Sequence, residues 1–201
     1  MLSPAPIASE TWYIDTSALI TLAYHRPLRS TVVDFLQPRK TKLVSSVVQE
    51  LKRKKSSDPS NIYTNAAIAD LPWLGTPERH EHLNEEIYDI QDDIAAGKQL
   101  AHPLEHLGES HIIAAGMERL PGEVFMVCDD HNARVMGKNK GIHPLSVHRL
   151  LHEMVLIGIL APSIAAAYSV VLHTKGRAGK SFTDVEFQNG DLGRMGEPLI
   201  I

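Results

Sequence analysis

A chain of 201 residues has material for one substantial core and too little for two comfortable ones. Its composition, 43% hydrophobic and 22% charged, is that of an ordinary globular domain, and its one cysteine, Cys128, excludes a disulfide framework and a thiolate metal cluster. A formal net charge of −4 argues against gripping nucleic acid by bulk electrostatics, although a site that gathers carboxylates makes a metal-free chain acidic and bound cations reverse the local sign.

Residues 1–11 are polar and proline-bearing and read as a lead-in, without the basic region and apolar run of a signal peptide. Trp12–Ile14 reads as a buried strand, followed by a helix over Ser17–His25 behind Asp15 and Thr16. Leu43–Ser45 reads as a second strand and Val47–Lys55 as a helix, with Ser45 and Ser46 as cap candidates. Tyr63–Asp70 and Glu81–Ala96 look helical; in the latter Leu83, Ile87, Ile90 and Ile94 mark one helix face. A helix over Leu107–Leu120 precedes Val124–Cys128, the clearest strand, five apolar residues that run into two aspartates. Ile142–Leu145 is a candidate last strand, with a helix over Val147–Ile157 behind it. The longest apolar stretch, residues 154–167, contains Gly158 and Pro162 and is too short to span a bilayer, so no membrane partner and a reducing, cytoplasmic setting are expected.

Strands alternating with helices predict an α/β domain, a parallel sheet flanked by helices on both faces, over residues 12–160. Residues 161–201 form a C-terminal extension. From Thr174 onward the composition shifts to glycine and mixed charge, which predicts a mobile tail or extended arm.

In a parallel α/β sheet, ligands bind outside the carboxyl ends of the strands. Asp15 follows the first strand, and Asp129 and Asp130 follow the strong strand at 124–128. Glu50 lies one turn into the helix after the second strand, and Glu109 opens the helix upstream of the strong strand. Hard divalent cations take oxygen ligands, and one or two of them make water nucleophilic and neutralise charge on a phosphodiester. Each acid has a plainer role: Asp15, Glu109 and Asp130 as helix caps or first-turn acids, and Glu50 as a surface partner of Lys54. What points to a metal site is the set of acids and its order along the chain.

These segments resemble the PIN-domain nuclease family over roughly residues 12–160. The matching pieces are Asp15-Thr16-Ser17-Ala18-Leu19, Ser45-Ser46-Val47-Val48-Gln49-Glu50-Leu51, Leu107-Gly108-Glu109-Ser110-His111, and Val127-Cys128-Asp129-Asp130-His131-Asn132-Ala133-Arg134. The resemblance implies a PIN-like sandwich, a Mg²⁺ or Mn²⁺ site, and endoribonuclease activity on an RNA substrate. Asp15, Glu50 and Glu109 carry over as the first three acids. The family's last acid usually sits two residues past a strand-end threonine; here Cys128 takes the threonine position and Asp130 the acid, with Asp129 a substitute or second ligand. Ser17 is a candidate for bonding a carboxylate or phosphate, or only a cap. Many small members are ribonuclease toxins held by a partner antitoxin, so an antitoxin-like protein inhibitor and a homo-dimer enter as possible partners; this chain is longer than the usual toxin.

Lys52-Arg53-Lys54-Lys55, on the helix carrying Glu50, reads either as a solvated helix end or as an edge that tracks phosphates. Arg26 and Arg134 are weaker candidates of the same kind. Histidines 80, 82, 102, 106 and 111 invite a zinc reading, but no H-E-x-x-H pattern occurs, and exposed or hydrogen-bonded roles are favoured. Residues 176–181 end like a P-loop but carry Thr174 where its first glycine belongs. The rivals to a nuclease are a non-catalytic PIN-like RNA- or protein-binding module, and a flavodoxin-like phospho-acceptor. The second needs a lysine at a late strand end, where His143 and Pro144 stand instead.

Overall fold

The computed structural model describes residues 2–193 apart from 4, 6 and 97. Four parallel strands form its sheet: β1 (Thr11–Ile14), β2 (Thr41–Lys42), β3 (Val124–Val127) and β4 (His143–Leu145), in the order β2-β1-β3-β4. Every residue of β1 and β3 is buried. Because successive side chains point to opposite faces, both faces must be covered, and the connecting helices cover them. The α/β architecture expected from the sequence is the one observed.

The helices are α1 (Thr16–Ala23), α2 (Arg26–Leu36), α3 (Ser45–Ser57), α4 (Ile62–Asp70), α5 (Asn84–Ala95), α6 (Leu107–Met117), α7 (His131–Asn139), α8 (Val147–Leu156), α9 (Pro162–Thr174) and α10 (Asp184–Asn189). Short 3-10 turns at Leu71–Leu74 and Glu81–Leu83 lead out of α4 and into α5. The expected stripe Leu83, Ile87, Ile90, Ile94 is buried, and α5 packs on α6.

Three expectations change. The helix α2 has no counterpart in the sequence reading, yet Leu28, Val32, Phe35 and Leu36 give it a buried stripe, and Pro27 sits in its first turn, where a missing N–H costs nothing. The second strand is at Thr41–Lys42 rather than Leu43–Ser45. Leu43 and Val44 are buried as the chain leaves the sheet, where Leu43 O accepts from Glu78 N (2.7 Å) and Ser45 N donates to Glu78 O (2.9 Å). That apolar run marks burial, not pairing in the sheet.

The third change is the segment after Thr174, which folds back instead of extending as an arm. Phe182, Phe187 and Leu192 are buried, Ser169 Oγ accepts from Phe182 N (2.8 Å), and Thr183 and Glu186 form a reciprocal capping box that starts α10. Three apolar residues spread among glycines and charges show no period, so their burial leaves no mark in the pattern. Residues 194–201 of the expected tail lie outside the described residues. Among the described residues no helix is long and apolar enough to cross a membrane.

Candidate metal centre

The centre forms where β1 and β3 end and α1, α3 and α6 begin. Asp15 is the N-cap of α1; its Oδ2 accepts from Ser17 N (2.8 Å) and Ser17 Oγ (2.7 Å). The capping role is therefore real, but it uses one oxygen. Asp15 Oδ1 is buried with no hydrogen-bond partner among the described residues, and so is Glu109 Oε2. Glu50 reaches the same place from α3, and its Oε1 accepts from Gly108 N at 2.8 Å. All three acids are almost wholly buried, Asp15 at 0%, Glu50 at 5% and Glu109 at 6% exposure.

Electrostatics records this crowding. Burial first, then the Glu109 and Glu50 carboxylates, raise the Asp15 pKa well above its usual value. Burial and then Glu109 push Glu50 up to about 7. Asp15, Glu109 and Cys128 each bring a ligand-type atom to within 4.8 Å of the others. Burial keeps the Cys128 thiol protonated, the neighbouring acids adding to the effect, and its Sγ lies 3.7 Å from Asp15 Oδ2 as a weak donor. The soft sulfur is thus a support for the carboxylate and not an anionic ligand.

The two aspartates after β3 part company. Asp129 turns away: its carboxylate accepts from Thr21 Oγ1 (2.6 Å) and Val147 N (3.0 Å), and ties α1 to the start of α8. Asp130 caps α7 through Ala133 N (2.9 Å) and lies within 4.8 Å of Glu109 and His106 ligand atoms. Of the pair, only Asp130 borders the acids.

Over the acids lies an open cleft of about 400 Å³, lined among others by Ser17, Glu50, Arg53, Lys54, Glu109 and Arg177. Of the basic run, Arg53 and Lys54 face this cleft, Lys52 lines a different groove, and Lys55 is exposed. Arg134 corrects an expectation. It is 1% exposed and donates to Cys128 O (3.1 Å), so it braces the end of β3 and is not a surface contact for phosphate. Arg26 is exposed at the start of α2 and is not among the residues lining the cleft.

Two neighbours of the acids carry no clear mark in the sequence. His106 has φ +60° where the chain turns into α6, and its Nδ1 lies 3.9 Å from Glu109, whose carboxylate holds the imidazole pKa up. Arg177 belongs to the supposed tail: Gly176 (φ +69°) ends α9 in the left-handed region and turns the chain back, with Arg177 N bonded to Leu172 O. The guanidinium then donates to Ser17 O (3.2 Å) and Thr21 Oγ1 (2.8 Å). Position 106 is visible only as one of several histidines; nothing local announces position 177, which arrives by tertiary folding. No family model matches the chain, and neither the curated proteins nor the solved structures give a significant match.

Proposed function

We propose that this chain is a Mg²⁺- or Mn²⁺-dependent endoribonuclease. One observation carries the reading: two buried carboxylate oxygens, Asp15 Oδ1 and Glu109 Oε2, stand without donors among the described residues, beside a third acid, Glu50. Buried anionic oxygens are expensive unless a proton or a cation meets them. An all-oxygen donor set suits a hard divalent ion. Asp15, Glu50 and Glu109 would hold it, with Asp130 at the Glu109 side. When bound, the ion supplies charge neutralisation on a phosphodiester and a water acidic enough to attack it.

The protein's own groups do the rest. Ser17 and Cys128 keep Asp15 oriented, and Gly108 N fixes Glu50. Arg53 and Lys54 on one side, with Arg177 among the same lining residues, supply the positive charge that draws flanking phosphates to an acidic centre. A polymer with charge on both sides of the scissile bond suits that arrangement better than a small phosphate ester. The order of the acid-bearing segments, which resembles the PIN nucleases, points to RNA.

The test is cleavage of a mixed pool of single-stranded and structured RNA by metal-stripped protein, with and without Mg²⁺ or Mn²⁺, and sequencing of the cut ends. Cleavage should require the metal and should be lost in Asp15→Asn and Glu109→Gln while both variants remain folded by circular dichroism. Metal binding without cleavage of any RNA would sink the nuclease reading and leave a non-catalytic module.

A further inference from the structure

On the other side of α3 lies a larger open groove of about 960 Å³, distinct from the acidic cleft. Ser46, His80 and His111 line it, with Val48, Ile87 and Leu107 as apolar wall. Ser46 Oγ is 2.9 Å from His111 Nδ1, and His111 Nε2 is 2.9 Å from His80 Nδ1. His80 Nε2 in turn faces Glu78 Oε2 at 3.8 Å. One set of tautomers satisfies both hydrogen bonds, Ser46 donating to His111 and His111 to His80, and leaves the His80 Nε2–H turned toward the Glu78 carboxylate, beyond hydrogen-bond distance. Lys42 and the hydroxyl of Tyr13 also bind the Glu78 carboxylate.

The chain of contacts runs one way, from a hydroxyl to a carboxylate through two imidazoles. Ser46 and His111 are 3% and 5% exposed, at the wall of the groove. In the tautomer that donates from Nε2 to His80, His111 Nδ1 is the acceptor facing the hydroxyl, 2.9 Å away. Ser46 is also the second residue of α3, just after the extended Leu43–Val44, and α3 has no side-chain cap among the described residues. Ser45 N is taken by Glu78 O, but first-turn N–H groups have no acceptors within their own helix and are suited to a developing oxyanion.

We propose that this groove is a second, metal-independent catalytic site, in which Ser46 attacks carboxylic esters that carry a short apolar acyl group. Ser46 Oγ bonds to the carbonyl carbon while its proton passes to His111 Nδ1. The bond from that carbon to the leaving alcohol breaks, and the alcohol takes the proton from His111. Water then repeats the sequence on the acyl-serine, giving the carboxylic acid and restoring the hydroxyl. Ser46 and His111 are the catalytic residues; His80 and Glu78 are positioning residues that fix the His111 tautomer.

The experiment uses the intact chain in EDTA, with a fluorophosphonate probe and, separately, p-nitrophenyl butyrate. The probe should attach to Ser46, mapped by peptide mass spectrometry, and should fail to do so on urea-unfolded protein. Ester turnover should fall roughly a hundredfold or more in Ser46→Ala and in His111→Gln. His80→Asn should lower kcat about tenfold while leaving KM unchanged, a split that loss of a merely structural bond would not give. An unlabelled Ser46 in the folded protein under excess probe, which needs no variant to fold, overturns the proposal. Ester turnover unaltered by Ser46→Ala does the same.

Discussion

A Cβ at position 108 would stand 3.0 Å from Asp15 Oδ1, 3.1 Å from Val47 Cγ2 and 3.2 Å from Glu50 Oε2. The bare backbone there lets three carboxylates approach one another, and a methyl group would force two of them to shift. Gly108→Ala should therefore weaken Mn²⁺ binding about tenfold or more, equivalent to about 1.4 kcal/mol, read by calorimetry. Unchanged affinity would mean that the acids do not share a ligand. At the rim, Arg53→Ala with Lys54→Ala, or Arg177→Ala alone, should weaken RNA binding for all sequences alike. The salt dependence should flatten by about one unit of slope for each phosphate no longer held, while cleavage at saturating RNA persists. An unchanged salt slope would return these cations to the role of solvated side chains. The contrast with Arg134 shows where residue-level reading fails: charge and position along the chain suggest a rim, and only packing reveals that the side chain runs inward beneath β3.

Among the elements, α6 carries the heaviest load. Glu109 and His111 lie two residues apart, about 200° around the helix axis, so one helix supplies the acidic cleft and the histidine groove at once. Every residue from Gly108 to Gly116 is buried, including both ionisable ones. A helix buried all round has no stripe for a sequence pattern to show. Its close seat on the sheet depends on Gly116, where a Cβ would fall 2.7 Å from Ile142 Cδ1 and 3.2 Å from Val124 Cγ1. Gly116→Ala should cost about 1–3 kcal/mol in chemical denaturation, as overpacking does. A change within about 0.5 kcal/mol would show that α6 can slide.

Legibility across the chain follows the same physics. The strands β1 and β3 are readable because their apolar residues are consecutive and end in aspartates, and α5 because its stripe has a helical period. The strand β2 is easily misplaced because its two residues, Thr41 and Lys42, are half-buried and polar, while the neighbouring Leu43 and Val44 are apolar for another reason. Three acids can be placed from strand ends and helix starts. Choosing between Asp129 and Asp130 requires the competing donors Thr21 and Val147, which come from elsewhere in the chain.

For the molecule as a whole, the crowded acids make metal-free stability depend on pH. Asp15 and Glu50 have folded pKa values above those of an unfolded chain, so the folded state binds protons more strongly. Their contribution is complete below about pH 4, the unfolded carboxyl range, and is lost as pH rises through about 7, the Glu50 value. Buried histidines 111, 143, 148 and 152 have lowered pKa values and act in the opposite sense, but their contribution is already complete above the ordinary histidine range. Above about pH 7 the stabilisation from a protonated Glu50 should thus be gone from the metal-free protein, and Glu50→Gln, which keeps an acceptor for Gly108 N, should be the more stable form there. The gap should be on the order of 3 kcal/mol at most, and Mg²⁺ or Mn²⁺ should close it by binding only the folded state. Equal stability of the two proteins from pH 5 to 8.5 would contradict the crowding.

The sheet itself sets a further limit on how copies of this molecule can meet. In β4, Leu145 O accepts from Cys128 N, so residues 143 and 145 address β3 and Pro144 addresses the outside, where it has no N–H to offer. At the opposite end β2 contributes two residues, and the chain beyond it already spends Leu43 O and Ser45 N on Glu78. An extended peptide, or the same strand from a second copy, therefore finds almost no ladder to continue. Among the described residues, then, neither edge of the sheet favours recognition by strand addition or fibre growth by edge pairing.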